Sequence, residues 1–66
     1  MSIVTVYEPR QVQTVYTDTE DGMARVDTYR AGKFTATEQI QKSEATVRIH
    51  ESMKQGRFIQ RTTAGR

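Results

Sequence analysis

The sequence predicts a small α+β domain: a four-stranded antiparallel β-meander followed by one helix packed on the aromatic face of the sheet. A short C-terminal edge strand is a further element. Three observations predict this class. Twenty of the 66 residues are Thr, Val or Ile, whose branched side chains suit a pleated surface, and leucine is absent. Short apolar–polar alternations are punctuated at Pro9, Gly22, Gly32 and Gly56. Residues 38–55 depart from that pattern and contain no Gly, Pro, Asp or aromatic side chain. The alternative is a small all-β barrel, in which the period-two run 45–50 is a strand rather than part of a helix.

Taken in order, Ile3–Tyr7 and Gln11–Thr17 read as strands joined at Pro9-Arg10, where proline presets φ for a turn. A turn there sets Ile3 opposite Tyr16, Thr5 opposite Thr14 and Tyr7 opposite Val12. Asp21-Gly22 is the strongest local signal, since it supplies positive φ at low cost and matches the twist of a hairpin. As a two-residue loop it pairs Glu20 with Met23, Asp18 with Arg25, Tyr16 with Asp27 and Thr14 with Tyr29. Ala31-Gly32 offers a second tight turn, pairing Tyr29 with Phe34, Thr28 with Thr35 and Asp27 with Ala36.

Strand side chains alternate between faces, so these pairings sort the residues into two sets. One collects Ile3, Thr5, Tyr7, Val12, Thr14, Tyr16, Tyr29, Phe34 and Ala36, and is the expected core. The other is a mixture of valine and threonine, too apolar for a plain solvent face. From it Val4, Val6, Val15, Val26 and Thr28 are expected to form a homo-oligomer interface.

Within 38–55, Glu38–Lys42 and Glu44–Arg48 are i,i+4 pairs in the favourable orientation, and Ala45, Ile49 and Met53 share a helical face with Ser52. Thr35 and Glu38 fit a capping box. Gln55-Gly56 ends the helix by a left-handed cap, and Arg57–Thr63 supplies the edge strand. Residues 1–63 form one domain, and 64–66 are expected to fray.

The functional classes narrow by exclusion. Without cysteine there is no disulfide, thiolate metal site or cysteine nucleophile. The longest apolar run is two residues, so no membrane partner is expected and the location is read as cytoplasmic. No phosphate-cradling glycine motif or nucleophile elbow is present, and His50, the only histidine, lacks an orienting partner at helical spacing. The acids Asp18, Glu20, Asp21 and Asp27 lack calcium-loop spacing and read as a solvated turn. Enzyme function, a metal and a cofactor are all unexpected.

Charge is placed unevenly, at −3 over residues 1–29 and +5 over 30–66. Arg48, Lys54, Arg57 and Arg61, with Phe58 among them, form the candidate partner-binding set. The expected function is a small, non-catalytic accessory or regulatory module that meets a protein partner's acidic surface through this basic C-terminal face. The alternative is nucleic-acid binding by the same residues, with phosphates neutralised and one ring stacked on a base.

Overall fold

The computed structural model describes residues 2–19 and 21–63; the tail expected to fray, 64–66, and the expected Glu20–Met23 pairing lie outside them. Five strands and one helix follow one another as β1 (Ser2–Glu8), β2 (Val12–Asp18), β3 (Met23–Arg30), β4 (Lys33–Gln41), α1 (Lys42–Lys54) and β5 (Phe58–Thr63). The strands form one open antiparallel sheet in the order β4-β3-β2-β1-β5. The fold is therefore α+β, with an edge at β4 and another at β5, and not a closed barrel. Residues 45–50 lie within α1.

All three reversals occur where the turn residues place them, but the first two loops are one residue longer than expected. Glu8 pairs with Val12, leaving Pro9, Arg10 and Gln11 between them, with Arg10 and Gln11 both at positive φ. Asp18 pairs with Ala24, and Thr19 donates both its backbone N–H and its hydroxyl to the Met23 carbonyl oxygen at 3.0 Å. Gly22, at φ +73°, takes the left-handed position that such a loop requires. Each extra residue slips the pairing by one, which moves a strand's side chains to the other face. Ile3 thus pairs with Thr17 instead of Tyr16, and Tyr16 with Val26 instead of Asp27.

The third turn keeps the expected two residues, Ala31 at φ +53° and Gly32 at φ +80°, with Tyr29 opposite Phe34. Beyond it a bulge intervenes. Thr28 pairs with Ala36, leaving Thr35 as the extra residue, its hydroxyl donating to the Thr28 carbonyl oxygen at 2.7 Å. Thr35 is thereby committed to the sheet and forms no capping box.

The core is built from Val4, Val6, Tyr16, Ala24, Val26 and Ile40 of the sheet with Ala45 and Ile49 of the helix, and Ile59 packs against it. Valines expected to face an oligomeric partner therefore lie beneath the helix, and the expected aromatic core is replaced. Tyr16 alone among the aromatic side chains belongs to it; Tyr7, Tyr29, Phe34 and Phe58 share the opposite, uncovered face.

Helix α1 is shorter than residues 38–55 because β4 runs on to Gln41, carrying Ile40 opposite Ala24 into the core. Glu38 is consequently a strand residue and pairs with Arg48 at 3.0 Å, while the Glu44–Arg48 pair forms as expected at 2.9 Å. Ala45 and Ile49 are buried, Ser52 is half-buried, and Met53 and Val47 are exposed. No side chain caps the helix start; the Lys42 N–H donates instead to the Gly22 carbonyl oxygen at 3.1 Å. At the other end Gly56, at φ +79°, donates to Met53 at 3.0 Å and Arg57 to Ser52 at 3.1 Å. This is the paired closure of a Schellman motif, and it turns the chain into β5.

Burial pushes the Tyr16 phenol above its ordinary value; the nearby Arg48 opposes this, and Glu8 and Glu38 reinforce it. An acid whose folded-state pKa is raised binds its proton more tightly in the native chain than in the unfolded one. Stability is therefore flat below the ordinary tyrosine range and falls as pH rises through it. We expect a drop in the thermal midpoint above about pH 10 that is smaller in Tyr16→Phe. Thermal melts read by circular dichroism check this, and identical alkaline losses in both proteins would contradict it.

Candidate functional site

One helix covers one face of the sheet and leaves the other open. Successive positions on the open face fall into three cross-strand rows fixed by the pairing. The first runs Phe58, Tyr7, Gln13, Tyr29, Phe34 from β5 to β4. The second is Gln60, Thr5, Val15, Asp27, Thr37, and the third Thr62, Ile3, Thr17, Arg25, Gln39. Four of the five aromatic side chains thus stand in a single line across the sheet. They form two pairs, Tyr7–Phe58 with ring centroids 5.4 Å apart and Tyr29–Phe34 at 5.8 Å and nearly edge to face. Gln13 of β2 separates the pairs.

The rings are accessible. Phe34 is 56% and Phe58 66% exposed, while Tyr7 and Tyr29 are half-buried. The Tyr7 hydroxyl donates to Gln60 Oε1 at 3.0 Å, which holds that ring in place. Behind the row, Asp27 is nearly buried and accepts from Thr37 Oγ1 at 2.6 Å and Arg25 Nε at 3.1 Å. This clasp neutralises the open face's charge and stiffens β3 against β4.

The row stands at the end of the sheet that holds the first and third turns and the start of β5. The turns are tied together there by the Ala31 N–H, which donates to the Gln11 carbonyl oxygen at 2.9 Å. Arg10, Arg30 and Lys33 are exposed at this end, and Arg57 directly precedes Phe58; Arg30 and Lys33, each next in sequence to a ring, leave the sheet on the helix side and rim the ring row rather than stand in it. Glu8, an acid at this end, is half-buried and accepts from Thr14 at 2.7 Å. Asp18 and Asp21 flank the second turn, at the far end of the sheet. There Lys42 stands 3.9 Å from Asp18 and offsets it, so the charge pattern along the strands is a gathering of cations beside the rings rather than two opposite poles.

The residues proposed from sequence do not form one surface. Arg48 is committed to Glu38 and Glu44, and its hydrogen bonds to both raise its pKa further, so it is a structural cation bracing the helix on β4. Lys54 is exposed at the helix end. Arg61 is exposed on the strand face that carries Ile59, opposite Val4, whereas Phe58 is on the other face beside Tyr7. The basic set is split by the alternation of β5. Of the expected oligomer interface, Val4, Val6 and Val26 are 7%, 0% and 4% exposed and unavailable as surface. Thr28 is half-buried on that same face, and Val15 lies in the second row of the open face.

Tyr7, Gln13, Tyr29 and Phe34 were not singled out as surface residues by the sequence. Three-residue loops at the first two turns put Gln13 between Tyr7 and Tyr29, and Phe58 joins them through the pairing of β5 with β1. A cleft of about 380 Å³ at the β4 edge is lined by Thr19, Arg25, Thr37, Glu38 and Gln39. Both its charges are already engaged, Arg25 by Asp27 and Glu38 by Arg48. Among the described residues no group of His, Asp and Glu is placed to hold a metal ion, and no helix is long and apolar enough to cross a membrane. No protein-family model, curated protein or solved structure matches the chain.

Proposed function

We propose that this protein binds single-stranded nucleic acid on the open face of its sheet, with bases stacked on the aromatic row and phosphates met by Arg10, Arg30, Lys33 and Arg57. The observation that carries this reading is the coincidence of four aligned rings with the cationic end of the molecule. Bases of an unpaired strand offer π-faces to aromatic side chains, and a basic rim follows the backbone. An acidic protein would use the cations but has no need of the rings in a line. A duplex hides its base faces and could engage only the rim.

Fluorescence anisotropy with short labelled single strands tests the proposal. Three to four phosphate contacts at about −0.7 each give a slope of log affinity against log salt of about −2 to −3. The corresponding duplex is expected to bind more weakly. Failure to saturate at low salt, or an affinity indifferent to salt, overturns the reading. Tighter binding to the duplex does so as well.

A further inference from the structure

Gln13 interrupts the aromatic row, and its position has a consequence for what the row takes. The Phe58/Tyr7 pair straddles β5 and β1, and the Tyr29/Phe34 pair straddles β3 and β4. Their midpoints are three strand spacings apart, about 14 Å at ~4.8 Å per spacing. Bases stacked on one another rise only about 3.4 Å. Two bases seated on the two pairs cannot therefore be stacked neighbours, and the strand must be splayed across the gap. The side chain standing in that gap is Gln13, in register with both Tyr7 and Tyr29.

Gln13 differs from its row in chemistry. It is half-buried at the base of the gap, and its amide makes no hydrogen bond to any described residue, whereas Gln60 accepts from the Tyr7 hydroxyl. A glutamine amide carries both an acceptor oxygen and two donor hydrogens, which lets it distinguish base edges. The rings on either side discriminate little, since every base has a π-face.

We infer that the open face takes a three-nucleotide stretch of single strand, its outer two bases stacked on the aromatic pairs and its middle base read by the Gln13 amide. This rests on the function proposed above and adds to it a site size and a specificity residue. The rings supply affinity for any sequence, and Gln13 supplies the preference at one position.

The test measures affinities of wild type, Gln13→Ala and Gln13→Met for single-stranded oligo(dA), oligo(dC) and oligo(dT) by anisotropy. Melting of each variant accompanies the titrations; methionine keeps the length of the side chain without its amide. Wild type is expected to favour one homopolymer. Both variants lose about five- to tenfold on that one and less than twofold on the others, a single hydrogen-bonded base contact being of this size. An abasic middle nucleotide in the preferred trinucleotide is expected to bring wild type down to the level of the variants. An equal loss on all three homopolymers, or no loss, overturns the inference while leaving single-strand binding intact. Absence of binding by wild type to all three overturns both.

Discussion

Replacing Phe34 and Phe58 together by alanine is expected to weaken single-strand binding by two orders of magnitude or more while leaving the fold in place. Loss of one aromatic stacking partner costs about 1–3 kcal/mol per base, and 1.4 kcal/mol is tenfold in affinity. Two such losses, one from each end of the row, multiply to at least about a hundredfold near the middle of that range. Both rings are more than half exposed, at 56% and 66%, so their removal takes little from the core. Tyr7 and Tyr29 remain behind them as half-buried supports. The measurement is the anisotropy titration at fixed salt, with circular dichroism melts alongside. A change of less than threefold in affinity, with an unchanged melt, would remove the rings from the binding surface. The salt slope should survive the double substitution, because the cations are untouched.

Val6→Asp is expected to abolish folding. A chain of this length has a total stability of about 3–10 kcal/mol. Val6 has no exposure at all and packs in the centre of the sheet beneath the helix. A carboxylate there has no partner, and an unpaired buried charge costs several kcal/mol even after relaxation. The cooperative thermal transition should disappear. Val15→Lys makes the control, because Val15 points to the open face, keeps access to water and stands opposite Asp27, which a cation there complements. That variant should melt cooperatively within several degrees of wild type. The two substitutions together test the pairing of β1 with β2, since a shift of one residue would put Val6 and Val15 on one face and give the two variants the same outcome. A folded Val6→Asp protein would contradict the core described above.

The order of the elements was legible because each rests on local chemistry. Pro9, Asp21-Gly22 and Ala31-Gly32 do reverse the chain, Glu44 and Arg48 do pair along a helix, and Gly56 does end it. Which face became the core was not legible, for a physical reason. On β1 both alternating sets are apolar enough to be buried, Ile3 and Tyr7 on one side and Val4 and Val6 on the other. The pattern does not choose between them, so the choice falls to loop length, where one residue reverses the answer. The candidate site inherited that ambiguity. In sequence Phe58 stands among the basic recognition residues, but its companions Tyr7, Tyr29 and Phe34 fall with the expected interior set, and the pattern does not separate the basic residues around Phe58 by face.

The helix connects the two outermost strands, so β5, which follows it, docks back against β1. Tyr7 and Phe58 are partners across nearly the whole chain, whereas Tyr29 and Phe34 meet across a tight turn. Closing a long loop is entropically dearer and slower than closing a short one. A nascent or partly opened molecule will therefore hold one half of the row before the other. Detachment of β5 would leave a half-site of weakened grip, and ligand occupying both halves would act as a clasp on β5.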